Sequence, residues 1–344
     1  MNLSTSLSTG LLPVFAVLGV ALAVSGLAIA VLLRARAGLP QDVPNDRSLH
    51  AAPLPRGGGI AIWAGWLPVA LWASPIGDTG TGQWLVPWLL LVAVSLRDDV
   101  RPLGVGVRLL VHALAALWFA VALVWPMAAT WSWPAAVLIA LAMGAVLAWS
   151  LNLYNFIDGN DGLAAAMAIL GFSGYGLGAV IAGVPGTALF ALAVATVPFF
   201  VVNFPPSRLI MGDVGAVPLG FLAAAFGLTF VVGGRWPAWF PALAFLPFIA
   251  DATVTLARRA WRRERIWEAH RSHYYQRLHR LGAGHRGTLA AYGLWMAGSG
   301  LTALACLRWE RALGWPALGA WCVAGAAFFA AIDYHWRIRS DSLR

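Results

Sequence analysis

Residues 134–162 read PAAVLIALAMGAVLAWSLNLYNFIDGNDG. The stretch opens as an uncharged apolar run of the length that crosses a bilayer, about 20 residues. It then breaks into three amides, Asn152, Asn155 and Asn160, and two acids, Asp158 and Asp161. Polar groups packed this densely beside hydrocarbon are costly and mark functional sites by default. Capping the next helix would need one such residue, with Asp161 the natural candidate, rather than five. Asn152, Asn155 and either Asp158 or Gly159 stand at near-helical spacing and can share one face.

The same alternation of apolar run and polar junction continues in both directions. Of the 344 residues 60% are hydrophobic and 11% charged, against about 25% charged in a soluble domain. The expected fold is therefore all-α: one polytopic transmembrane domain over residues 1–344 with about eleven helices. These are placed near 11–33, 58–75, 83–96, 106–125, 134–156, 163–182, 187–204, 214–232, 237–257, 287–306 and 313–333. The first run exceeds a signal-peptide core and is expected to be retained as a helix. Trp125, Trp131 and Trp133, with Trp236 and Trp239, are expected to form interfacial belts. Cys306 and Cys322 fit neither a metal site nor a disulfide framework, and packing is expected of both.

The net charge is +9, and all 23 basic residues are arginine. With the N-terminus outside, the inner loops become 34–57, 97–105, 157–162, 205–213 and 258–286, plus the tail. These loops and the inner start of the fourth helix hold 20 arginines; Arg235, Arg308 and Arg311 are left outside. The positive-inside rule then gives a periplasmic N-terminus and a cytoplasmic C-terminus. Acidic residues contribute little to topology, yet only Asp78 and Glu310 fall on the outer side. Chemistry is expected at the inner face. A nucleic-acid partner is excluded because the basic run is short and membrane-bound.

Four more constellations lie on that face. The first is Asp42-Val43-Pro44-Asn45-Asp46-Arg47-Ser48-Leu49-His50, followed by Pro53, Pro55, Arg56 and three glycines. Its glycines allow close backbone approach, and its arginines alone would also suit lipid head groups. The second is Asp98-Asp99, a like-charged pair that calls for a cation, such as a hard divalent metal shared with substrate phosphates. The third, Asn203-Phe204-Pro205-Pro206-Ser207-Arg208-Leu209-Ile210-Met211-Gly212-Asp213-Val214-Gly215, places Asp213 at a helix start, as a cap or a metal ligand. The fourth is the basic run to Arg286, in which His270 and His273 are expected on one side of a helix, with arginines suited to polyphosphate or to anionic lipid. Asp251 lies at depth in the ninth helix and is a functional candidate on that ground.

In order and in detail these motifs resemble the bacterial polyprenyl-phosphate N-acetylhexosamine-1-phosphate transferases, relatives of phospho-N-acetylmuramoyl-pentapeptide translocase. The resemblance covers residues 42 to about 286. It implies transfer of a sugar 1-phosphate from a UDP-N-acetylhexosamine to undecaprenyl phosphate, release of UMP, and a need for Mg2+, with Mn2+ as a substitute. It implies a cell inner-membrane enzyme that starts O-antigen, lipopolysaccharide or other envelope polysaccharides. By motif, Asn155 and Asp213 resemble the metal-binding pair. Asp98 resembles the group that deprotonates or orients the lipid phosphate, with Asp99 and Asp158 in the same acidic cluster. Asp161 falls where the family contacts uracil, and His270 and His273 fall near the diphosphate or sugar. Asn45, Arg47, His50 and Arg271 complete the expected substrate-binding set. Ala216 stands where the family usually has Ser, and His112 where it often has Gln; neither is an expected metal ligand. The muramoyl-pentapeptide transferase is the rival within the class. A transporter of a lipid or anionic solute is the rival outside it, and nearly all the charged groups at helix ends rather than at mid-membrane argue against it. Association into a homodimer is left open.

Overall fold

The computed structural model describes residues 3–44, 49–50, 52–74, 81–265 and 270–341. Thirteen α-helices follow one another among these: α1 Leu3–Arg34, α2 Gly58–Ala73, α3 Thr81–Val100, α4 Val105–Val124, α5 Trp133–Ile157, α6 Leu163–Ile181, α7 Thr187–Asn203, α8 Asp213–Val232, α9 Trp239–Ala244, α10 Leu246–Trp261, α11 Tyr274–Leu278, α12 Gly284–Trp309 and α13 Gly314–Asp341. Seven segments are long and apolar enough to cross a membrane: Leu12–Arg34, Val105–Ala128, Trp133–Ile157, Leu163–Ile181, Asp213–Val232, Tyr274–Trp309 and Arg311–Arg339. The protein is an all-α, multi-pass integral membrane protein. The eleven expected runs correspond to α1 to α8, the pair α9–α10, α12 and α13.

α8 is the axis of the bundle. Its sequence is apolar on every side, the pattern of a helix buried all round, and residues from Val214 to Phe226 are almost entirely enclosed. It packs along α5, α3 and α2. Lipid tails offer no hydrophobic drive between helices, so close backbone approach by small residues does the joining. A Cβ added at Gly59 of α2 would run into the Cα of Gly215 on α8. Trp63 Nε1 then donates to the Val214 carbonyl at 2.7 Å. The two helices thus begin side by side, at the end of the bundle where the charged residues gather.

That end is tied together by loop backbone. A short antiparallel pair, β1 Gln41–Asp42 and β2 Leu54–Pro55, folds the first loop back on itself. It continues into a parallel bridge between Arg56 and Ile210. Gly57 and Gly58 both donate to the Ile210 carbonyl, at 3.2 and 2.9 Å, and Gly59 donates to that of Met211 at 2.9 Å. The glycine run expected to permit close approach does so against a neighbouring loop.

Several expectations are corrected. The ninth run is two helices. Phe245, at φ −115° and ψ 15°, leaves the helical region, and Pro247 opens α10 without an N–H to donate. Trp236 and Trp239 are buried, at 2% and 1% exposure, instead of lying in a lipid-facing belt. Trp236 stacks on Phe230 at 4.0 Å because the turn after α8 closes on itself, with Arg235 N and Trp236 N both donating to the Phe230 carbonyl at 2.9 and 3.1 Å. Trp125, Trp131 and Trp133 are exposed as expected. Cys306 is buried, whereas Cys322 is exposed and packs against nothing in the core.

Candidate active site

α3 continues past its expected end, so Asp98 and Asp99 stand in its last turn and not in a loop. They point to different tasks. Asp99 is buried and reaches the start of α8, where Oδ1 accepts from Asp213 N at 3.1 Å and Oδ2 from Val214 N at 3.0 Å. The first N–H groups of a helix have no partner within it. α8 has no side-chain cap of its own, since Gly212 sits at that position with φ +78°. A Cβ at Gly212 would lie 2.6 Å from Asp99 Oδ2. Glycine therefore clears the way for a cap delivered from α3. Asp98 instead accepts from Leu103 N at 2.6 Å and from Arg108 Nη1 at 3.0 Å.

The cap fixes Asp213, the first residue of α8. Its Oδ2 lies 3.5 Å from the same Arg108 Nη1 that holds Asp98. Arg56 pairs with Asp42 and comes within 3.5 Å of Asp99 Oδ1. His50 Nε2 is 3.4 Å from Asp42 Oδ2, which brings this expected binding residue to the edge of the group. Asp158 closes α5 as its C-cap. Its carboxyl is held well above the usual carboxylate range, by desolvation first and then by the charges of Asp213 and Asp99. Four carboxylates, Asp42, Asp98, Asp99 and Asp213, thus share two guanidinium groups, Arg56 and Arg108, with the Asp158 carboxyl close enough to feel Asp213 and Asp99.

This imbalance fits a divalent cation. Arg108 bridges Asp98 and Asp213, the office a bound cation would fill. Among the described residues no group of three His, Cys, Asp or Glu forms a closed metal cage. An open oxygen site suits Mg2+, which keeps several waters and takes one or two carboxylates plus substrate phosphates. Asn155 stands one helical turn before Asp158, half-buried, in the last turn of α5.

The histidines form a second wall. His270 and His273 do not share a helix face, contrary to expectation. His270 precedes the helix, and His273 is the N-cap of α11 with ψ 148°. Their rings nevertheless stack at 4.8 Å, because the extended backbone between them folds one over the other. His273 Nδ1 lies 3.1 Å from Asp251 Oδ1. The carboxylate oxygen accepts, so Nδ1 carries the proton, and the His273 ring is buried, at 3% exposure. His270 bonds Ser272 Oγ at 2.9 Å. Burial, then the neighbouring His273 and Arg259, push its imidazole down to about 3, so it is neutral at physiological pH. Tyr275 OH donates to the Phe156 carbonyl at 3.1 Å, and the His273 ring lies 6.0 Å from that of Phe156. The histidine segment therefore abuts the same end of α5 that carries Asp158. Arg271 is exposed.

Asp161 lies at a third junction. Its Oδ2 accepts from Ser207 N at 3.0 Å and its Oδ1 is 3.6 Å from His285 Nδ1. It does not cap α6; that place is taken by Gly162, whose N–H donates to Asn203 Oδ1 at 2.8 Å. Asn45 and Arg47 lie outside the described residues. Arg56 and Arg108 went unrecognised as site residues in the sequence, where lipid binding and topology accounted for them. Asp42 stood in the first motif, but nothing local showed that it would face Arg56.

A membrane bundle that gathers five carboxylates, two arginines and a pair of histidines at one end is built to handle a charged substrate where membrane meets water. Comparison with known proteins agrees. Residues 83–231 match the model of glycosyl transferase family 4. A phospho-N-acetylmuramoyl-pentapeptide-transferase of Synechococcus sp. is 34% identical over 255 residues, covering 66% of this chain and 70% of the relative. The probable undecaprenyl-phosphate N-acetylglucosaminyl 1-phosphate transferase of Bacillus subtilis is 26% identical, covering 71% of each chain. The decaprenyl-phosphate N-acetylglucosaminephosphotransferase of Mycobacterium tuberculosis is 27% identical over 83% of this chain and 80% of its own. The chain belongs to glycosyl transferase family 4, among the polyprenyl-phosphate sugar-1-phosphate transferases.

Proposed function

We propose that this chain transfers an N-acetylhexosamine 1-phosphate from a UDP-sugar to undecaprenyl phosphate, releasing UMP, at the cytoplasmic face of the inner membrane as the first step of an envelope polysaccharide such as O-antigen. An oxygen of the lipid phosphate attacks the sugar-bearing phosphorus of the UDP-sugar. The bond from that phosphorus to the bridging oxygen breaks, and UMP leaves. The nucleophile is already an anion, so positioning and charge neutralisation carry most of the catalysis.

The observation that carries this reading is the convergence of Asp98, Asp99, Asp158 and Asp213 with Arg56 and Arg108. Asp213 and Asn155 would hold Mg2+, or Mn2+ in its place; bound there, the ion neutralises charge on the diphosphate and on departing UMP. Asp99 keeps Asp213 in place through the backbone of α8. Asp98 orients the lipid phosphate, and Arg108 beside it is free to exchange a carboxylate for a phosphate oxygen. Arg56 and His50 approach the phosphates from the first loop, and Asn45 and Arg47 of the same motif are proposed to bind them too. His273 would meet the diphosphate or sugar, with His270 stacked against it and Arg271 nearby. Asp161 fits uracil recognition less directly, because its carboxylate accepts from Ser207 N and its own N–H donates to His285 Nδ1; it would shape that subsite by fixing the loops around it.

The purified protein with undecaprenyl phosphate, Mg2+ and either UDP-N-acetylglucosamine or UDP-N-acetylmuramoyl-pentapeptide tests this. UMP is expected with the first donor and not with the second. Release with the pentapeptide donor alone would make it a translocase of the peptidoglycan type, and release with neither would remove the enzyme reading.

A further inference from the structure

α11 is five residues long, far below the length at which a helix holds itself together. Its N-terminus rests on Asp251. Its other side rests on α13, beyond the residues that carry the sequence motifs. Phe329, Asp333 and Trp336 are spaced four and three apart, so they form one stripe of α13. Phe329 stacks on Tyr274 at 3.9 Å and 13°. Asp333 Oδ1 accepts from Arg277 Nη1 at 2.7 Å, and Oδ2 accepts from Tyr274 OH at 3.1 Å and from Arg258 Nη1 at 2.5 Å. The Arg277 guanidinium lies 5.4 Å from the Tyr274 ring centre and 5.8 Å from that of Trp336. α11 is gripped by a carboxylate and two aromatic faces from a single helix stripe.

We propose that Asp333 is a positioning residue for the transfer reaction, and that the Phe329–Asp333–Trp336 stripe of α13 sets the orientation of the His270–His273 segment through Tyr274 and Arg277. Asp251 holds one side of the segment, through His273 Nδ1 and the N–H groups of Tyr274 and Tyr275, and the α13 stripe meets the other through the side chains of Tyr274 and Arg277. His270 touches Ser272 and His273, and Arg258 of α10 meets the same Asp333 that holds Tyr274 and Arg277. One carboxylate therefore locks both flanks of the histidines, Arg258 before them and Tyr274 with Arg277 after them. Asp333 also neutralises two arginines that would otherwise compete for the substrate diphosphate. The lock adds little to global stability, because its ion pairs are partly solvent-exposed, with Arg258 at 35% and Asp333 at 17%. Its effect is on where His273 points.

The proposal rests on the reading that the histidines meet the UDP-sugar. It is tested by steady-state kinetics of the full chain, with UDP-N-acetylglucosamine and undecaprenyl phosphate varied separately. Asp333→Asn is expected to raise KM for the UDP-sugar about tenfold and to leave KM for the lipid phosphate unchanged, with the thermal midpoint in detergent held. Loss of active protein alone would move neither KM. The double variant Asp333→Arg with Arg277→Asp keeps one carboxylate among two guanidinium groups and is expected to recover most of the donor affinity. It also serves if Asp333→Asn does not fold. Unchanged donor KM in Asp333→Asn, equal shifts in both KM values, or no recovery in the swap would overturn the proposal while leaving the transferase reading intact. Absence of turnover by the wild-type chain would instead defeat that reading, and this proposal with it.

Discussion

Two helices at the charged end, α8 and α11, begin in the same way and serve different ends. α8 supplies no cap of its own and α11 only Gln276 Oε1, which accepts from His273 N at 3.3 Å; the next N–H groups of each are met by a carboxylate from another helix. Asp99 of α3 takes the N–H groups of Asp213 and Val214, and Asp251 of α10 takes those of Tyr274 and Tyr275, at 3.0 and 2.9 Å. The difference lies in the company each keeps. Asp251 is wholly buried, and its remaining partners are neutral or polar donors: Tyr292 OH at 2.5 Å, Thr255 Oγ1 at 3.1 Å and the His273 imidazole. Asp99 has Asp98, Arg56 and Asp213 around it. Around Asp251 every lone pair is used and the structure is closed. Around Asp99 carboxylates outnumber guanidinium groups, a set that suits a divalent cation. The same capping device is scaffold in one place and the frame of a reactive site in the other.

The sharpest separation of the two comes from chelation. Removing divalent ions with EDTA is expected to abolish UMP release completely, with recovery on adding Mg2+. The thermal midpoint should hardly move, since the Asp251 network is satisfied by protein donors alone. Next in size is Asp251→Ala, which strands two backbone donors and a tyrosine hydroxyl in the interior. Each buried donor left unsatisfied costs about 1–3 kcal/mol, read together as a large fall in unfolding temperature or as failure to extract folded protein. A variant of normal stability would end the scaffold reading. Asp99→Asn keeps one accepting oxygen. It is expected to cost about 1–3 kcal/mol and to lose activity well beyond that structural loss, because Asp213 shifts. The smallest effect belongs to His270. Its imidazole is already neutral, with its pKa lowered to about 3, so no proton leaves it between about pH 5 and pH 8. His270→Asn should therefore leave the shape of the pH–rate profile unchanged across that range; loss of an acid limb would show that His270 titrates in the working enzyme.

Much of this was legible in the sequence because it was local. Uncharged runs marked the helices, and the dense polar junctions after α5 and before α8 marked the site. What escaped was held by distant partners. Asp99 lies 114 positions from the N–H it caps, and no pattern around Asp213 shows that its cap comes from α3. Arg56 looked like a lipid anchor and Arg108 like a topology signal, because their pairing with Asp99, Asp98 and Asp213 depends on how α3, α4 and α8 meet. His270 and His273 were spaced for a helix face, but the helix starts after His273, fixed there by Asp251. Asp251 itself stood out as an acid at depth; that it caps α11 required the fold. The hinge at Phe245 left only Pro247 as its trace, and proline at a helix start is as ordinary as proline at a break.

The central claim is that Asp213, set in place by Asp99, anchors the cation on which phosphoryl transfer depends. It is tested most directly by UMP release from Asp213→Asn compared with the wild-type chain at saturating Mg2+, both purified folded with the same thermal midpoint. The account predicts a fall in turnover of at least about 100-fold that excess Mg2+ does not restore. Turnover within a few-fold of wild type would contradict it.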